Sequence, residues 1–125
     1  MLLLTQHQSQ RLLANGQKRG DHVPVVKLFN PVGAATWLLS ELDSDGDSLF
    51  GLADLGFGCP ELGSVSLSEI TSLTLPLGLS IERDRHFEAR FALTVYADAA
   101  RLVGRITEDE ARLEAAALAQ RENAR

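Results

Sequence analysis

The sequence predicts an α+β fold: an antiparallel β-meander of about four strands, flanked by an N-terminal helix and one or two C-terminal helices. Three observations predict it. Short runs rich in β-branched and large apolar residues, each bounded by turn residues, recur between Val23 and Val65. An Asp45-Gly46 pair, which favours the positive backbone angles of a tight hairpin, separates two of these runs. Helix-capping spacings and 3.6-residue apolar stripes lie mostly toward the two ends of the chain.

Thr5 and Gln8 stand at capping-box spacing, so that hydroxyl and amide serve each other's backbone N–H groups. A helix follows from Gln6 to Ala14 with Leu12 and Leu13 inward, and Asn15-Gly16 supplies a left-handed stop. Val23–Phe29 is the first strand, with Pro24 at its start or on an edge because proline donates no N–H. Thr36–Leu42 is the second strand and Leu49–Leu55 the third. A turn centred on Asp45-Gly46 sets Trp37 opposite Asp54, Leu39 opposite Leu52 and Glu41 opposite Phe50, all six on one face. Glu61–Val65 is a fourth strand. Ser66 and Glu69 then cap a short helix ending near Leu73.

Ile81–Phe87 reads equally as a fifth strand or as the approach to a helix. Ala89–Val103 is helical, with Phe87, Phe91, Val95 and Leu102 on one stripe and Gly104 as its cap. Thr107 and Glu110 repeat the capping spacing. The Ala-, Glu- and Arg-rich segment beyond them has Leu113 and Leu118 as anchors and is expected to form a peripheral helix that frays. Residues 1–106 are expected to form a single domain and 107–125 a mobile helical extension.

The chain has 125 residues, enough for one domain, and its 45% hydrophobic content supplies a core. A net charge of −5 argues against nucleic-acid binding through a basic patch. Cys59, the one cysteine, has no internal disulfide partner. The apolar run Leu2-Leu3-Leu4 is too short for a signal sequence, and no stretch is long enough to span a membrane. The expected location is the cytoplasm, with no membrane partner.

Four candidate sites carry chemistry-bearing residues. Asp43, Asp45 and Asp47 alternate as calcium-binding carboxylates do, and Asp54 is twelfth counting from Asp43. The calcium-loop glycine belongs at the sixth position, however, which is Ser48, so the plainer reading is a solvated acidic turn with no metal. Glu41, Asp54 and Glu61 are candidate acid and base groups if the fold converges them. Trp37 is a ligand platform or plain core, core being the usual fate of a strand tryptophan. Gly56-Phe57-Gly58-Cys59-Pro60 lacks the lysine and the following helix of a phosphate loop, and reads as a tight turn holding a thiol. Arg83, Asp84 and Arg85 form a charged edge suited to an anion or a protein partner, or to local ion pairs. No motif calls for a cofactor.

An ordered set of motifs runs through the middle of the chain. It comprises Val26-Lys27-Leu28-Phe29-Asn30-Pro31, Thr36-Trp37-Leu38, Glu41-Leu42-Asp43, Phe50-Gly51-Leu52-Ala53-Asp54-Leu55-Gly56 and Pro60-Glu61-Leu62-Gly63 followed by Ser66-Leu67. Ile81-Glu82-Arg83-Asp84 with Phe87, and Tyr96 with Ala100-Arg101 and Gly104-Arg105-Ile106, continue it. Together they resemble the bacterial domain-of-unknown-function family 2958, from about Leu2 to Ile106. The resemblance implies a small bacterial protein often carried on plasmids and integrated mobile elements, and it transfers no catalytic residue. The expectation is a non-enzymatic interaction or accessory module of a mobile genetic element, its partner another protein. The alternative is a small hydrolase or transferase using the Glu41, Asp54 and Glu61 carboxylates.

Overall fold

The computed structural model describes residues 2–124; Met1 and Arg125, the last residue of the expected C-terminal extension, lie outside the described residues. At its centre Asp45-Gly46 turns β2 (Thr36–Leu42) into β3 (Ser48–Asp54), with Gly46 at φ 73 as the hairpin requires. Asp45 holds the bend by accepting hydrogen bonds from the backbone N–H groups of Asp47 and Ser48. Around this hairpin lie α1 (Gln6–Gln17), β1 (Val26–Phe29), β4 (Glu61–Ser66), α2 (Leu67–Ser72), β5 (Glu82–Arg83), α3 (Leu93–Val103) and α4 (Glu110–Asn123). The described residues thus form one sheet of five strands in the order β4-β3-β2-β1-β5, every pair antiparallel. The Ile81–Phe87 segment resolves into β5, which pairs with β1 through Leu28↔Arg83 and Phe29↔Glu82.

The sheet is covered on both faces. Leu12 of α1 and Ile70 of α2 share one apolar cluster with Val26, Leu28, Trp37, Leu39 and Leu49. Leu93, Tyr96 and Ala97 of α3 and Leu113 and Ala116 of α4 share the other with Leu38 and Leu52. Every residue of β2 from Trp37 to Leu42 is consequently buried. A leucine such as Leu38, fully enclosed, contributes about 2 kcal/mol relative to exposure.

Register differs from the sequence expectation. Glu41↔Phe50 pairs as expected, but Trp37 faces Ala53 and Leu38 faces Leu52, because a bulge intervenes between Leu39 and Glu41. The extra residue is Ser40, whose carbonyl accepts from the Asn15 side-chain amide of α1 at 2.9 Å. One residue of slip reverses the faces beyond it. Trp37 and Leu39 therefore pack under α1, while Leu52 and Phe50 pack under α3 and α4.

Helix ends show where tertiary contact overrides local signals. The Thr5–Gln8 capping box forms, but α1 continues through Asn15 and Gly16 to Gln17. Gly16 is in the helix because α1 lies directly on β2: a Cβ there would stand 2.2 Å from the Leu42 carbonyl oxygen. Ser66 caps α2 as expected. The last helix is capped by Asp109 rather than Thr107, and its carboxylate accepts from the Arg112 N–H. It runs unbroken to Asn123 and buries Leu113 and Ala116, whereas Leu118 is half-exposed. Gly104 ends α3 at φ 86 as expected. Phe87 and Phe91 do meet Tyr96, with ring centroids 6.5 and 6.3 Å away, but from a non-helical lead-in. Leu102 falls outside the buried arc of α3 and is 84% exposed.

The Gly16→Ala substitution is expected to lower unfolding stability by about 2 kcal/mol, even though alanine gains about 1 kcal/mol of helix propensity. Urea denaturation checks this; a stabilised variant would contradict the close approach of α1 to β2.

Candidate protein-binding surface

The three candidate carboxylates do not converge. Asp54 is buried at the end of β3, where one oxygen accepts from the Gly56 N–H and the other from the Ile106 N–H, each at 2.9 Å. It ties the sheet to the α3–α4 connection. Glu41 is buried beside Phe50, four residues along β3 from Asp54, a separation of about 13 Å by strand rise. Glu61 is exposed and pairs with Ala53, which packs toward the Trp37 face. Asp54 reaches the opposite side of the sheet.

The hairpin aspartates are also engaged within the fold. Asp43 pairs with Arg19 at 3.0 Å. Asp45 stabilises its own turn. Asp47 accepts from the Ser66 hydroxyl at 2.6 Å and the Ser68 N–H at 2.8 Å, and so anchors the start of α2. The Ser66 hydrogen bond, followed by those from Ser68, holds the Asp47 carboxyl below its ordinary value of 3.8. Hydrogen bonds from the backbone N–H groups of Ser48 and Asp47, with the Ser48 hydroxyl, do the same for Asp45. Among the described residues, no group of three or more His, Cys, Asp or Glu side chains is arranged to hold a metal ion.

The charged edge divides. Arg83 donates to the Leu3 carbonyl at 2.6 Å and fastens the N-terminal segment to β5. Asp84 accepts from the His86 N–H and lies 3.5 Å from Lys27, which also meets Glu108 at 2.6 Å. Arg85 is exposed, has no ion-pair partner among the described residues, and borders a groove of about 290 Å³ with Leu2, Leu3 and Ile81.

Trp37 is core over most of its surface, being only 6% exposed. Its remaining edge borders a groove of about 470 Å³ with Leu55, Val65, Glu69 and Leu73. Leu55 also lines a second depression, of about 230 Å³, with Ala53, Phe57, Cys59 and Glu61. The two depressions lie along β4, one of the two edge strands of the sheet. Their rims are apolar and wet: Phe57 is 82% exposed, Leu55 55% and Leu73 46%. Phe57 stands between Gly56 and Gly58, both at positive φ, which present the ring outward. A few residues past Leu73, Leu77 is 91% exposed at φ 65, a left-handed conformation that costs an L side chain about 1–2 kcal/mol. Sequence reasoning singles out Trp37, with core as its usual fate, and the Gly56–Pro60 turn, but it does not read Leu55, Phe57, Leu73 or Leu77 as an exposed apolar surface. The available signal was the alternation Leu73-Thr74-Leu75-Pro76-Leu77-Gly78-Leu79, too many leucines for a solvated loop.

A family model described as a protein of unknown function (DUF2958) matches residues 3–107. No curated protein and no solved structure matches the chain. No helix among the described residues is long and apolar enough to cross a membrane.

Asp54→Ala is expected to cost about 2 kcal/mol, because it strips two backbone N–H groups of a charged acceptor; chemical denaturation reads the loss. The depressed carboxyls of Asp45 and Asp47 contribute stability that is present above 3.8 and lost as the pH falls through their lowered values. In a series of urea midpoints from about pH 5 to about pH 2, Asp47→Asn should flatten the acid limb. An unchanged limb would show that these hydrogen bonds do not form in solution.

Proposed function

The chain belongs to the DUF2958 family, and from that premise we propose that it is a non-enzymatic interaction module acting as an accessory factor of a mobile genetic element. The observation that supports an interaction role is the apolar surface beside β4. Leu55, Phe57 and Leu73 rim two adjoining depressions, and in the Pro76–Gly78 turn that follows α2 a separate exposed leucine, Leu77, is held outward in an unfavourable backbone conformation. Single exposed apolar residues are ordinary, but a contiguous patch is uncommon on a soluble monomer and marks a contact surface. An outward leucine at positive φ adds a conformational cost that solubility alone does not explain.

The carboxylates favour this reading over hydrolysis or group transfer. Both Asp54 oxygens serve backbone N–H groups, and Glu61 belongs to the other face. The mobile-element setting rests on the family resemblance and on nothing in the geometry. Cytoplasmic action is part of the same proposal, since Cys59 is exposed and unpaired, as suits a reducing compartment.

The test is affinity purification of tagged protein from a host that carries its native element, in parallel with Phe57→Ser and Leu77→Gly. A specific partner should co-purify with the wild type and be depleted at least tenfold with each variant. Leu77→Gly should meanwhile fold with equal stability or gain up to about 1 kcal/mol, as the left-handed strain is released. Recovery of no partner, or equal recovery by all three proteins, would overturn the proposal.

A further inference from the structure

The outer edge of β4 is a regular, unguarded strand. Leu67 N–H donates to the Asp47 carbonyl, and the β3–β4 register continues without a shift from Ser48↔Ser66 to Ala53↔Glu61. Antiparallel ladders alternate, so Glu61, Gly63 and Val65 bond to β3 while Leu62 and Ser64 aim N–H and C=O groups away from the sheet. Proteins usually protect such an edge with lysine, proline or a bulge. The segment Glu61-Leu62-Gly63-Ser64-Val65-Ser66 has none of these, and its single charge is at its first residue.

Both depressions beside this edge lie toward the Trp37 face, one near Glu61 and the other near Ser64–Ser66, a spacing of about four residues along an extended chain. Each is lined mainly by apolar side chains, with Ser48, Ser64 and Ser66 added in the second, and each has one exposed carboxylate, Glu61 in the first and Glu69 in the second; neither contains a cation. Neither carboxylate has an ion-pair partner among the described residues.

Building on the interaction-module reading, we propose that β4 accepts an extended peptide segment of a partner protein as a sixth strand, with alternate apolar side chains entering the two depressions and a lysine or arginine toward Glu61 and Glu69. The open N–H and C=O row requires an extended backbone, the depressions select apolar residues on one face, and the two carboxylates select basic flanks. A second copy of this chain fits less well, since it brings a net charge of −5 to the same edge.

The probe is a blocked synthetic peptide of about eight residues, alternating leucine or valine with threonine and bearing a lysine at each end. Its counterpart bears glutamate at each end. Amide chemical shifts and hydrogen exchange of the full chain are followed during titration. The lysine peptide should shift and protect Leu62 and Ser64 first, and should bind at least tenfold more tightly than the glutamate peptide. Ser64→Pro should abolish binding while leaving the β3 ladder intact, because it removes only an outward donor. The double variant Glu61→Lys with Glu69→Lys should reverse the preference between the peptides, and it guards against a proline that misfolds the edge.

Binding that maps to the Arg85 groove, equal affinity for both peptides, or no binding of either would overturn the inference. So would a dimer that Ser64→Pro dissolves in the absence of peptide, since the edge would then be occupied by another copy. Each of those outcomes leaves the interaction-module reading standing, because that reading falls only on the purification from the native host, by recovery of no partner or by equal recovery with Phe57→Ser and Leu77→Gly.

Discussion

Everything in this fold is referred to one strand with no exposed side. β2 lies between β1 and β3 and beneath helices on both faces, so it cannot slide by a residue without driving a buried leucine into the wrong layer. The Ser40 bulge is the adjustment that makes this possible. Before it, Trp37 and Leu39 serve the α1 layer and Leu38 the α3 layer; after it, Leu42 returns to the α1 layer. The backbone carbonyl at the bulge is taken up by Asn15, so the irregularity is satisfied by the same helix whose packing it permits. The absence of a side chain at Gly16 lets that helix come close enough to do so.

Local chemistry was legible in the sequence and long-range chemistry was not. The Asp45-Gly46 hairpin, the extent of β2, the Thr5 and Ser66 caps and the Gly104 stop were readable because each depends on residues within a few positions of one another. Asn15-Gly16 looked like a stop because nothing local reveals the Leu42 carbonyl against which Gly16 packs. The face assignment of Trp37 failed for a related reason. A strand covered on both sides loses its polar–apolar alternation, so one inserted residue leaves no trace in the pattern.

The candidate site followed the same division. Acidic residues were visible, but their roles were set by distant backbone: Asp54 by Ile106, Asp47 by Ser68 and Asp21 by the Thr94 N–H at the start of α3. Carboxylates that resemble a reaction centre in sequence here terminate strands and cap helices. The exposed apolar residues drew less notice because a single leucine or phenylalanine carries no motif. Only the sheet order reveals that Leu55, Phe57 and Leu73 border its open edge.

The long-range ties have a common direction. Arg83 holds Leu3, Asp21 caps α3, and Lys27 meets Glu108, so the first thirty or so residues, already joined to β2 through β1 and Asn15, find a second set of partners from Arg83 onward. The strands β2, β3 and β4, by contrast, pair with one another in sequence order, β2 with β3 and β3 with β4. During synthesis an early segment would emerge with some of its stabilising contacts yet to be made, followed by a central meander able to form at once. Closure waits for Thr94 and Glu108, which reach back past the finished meander to Asp21 and Lys27.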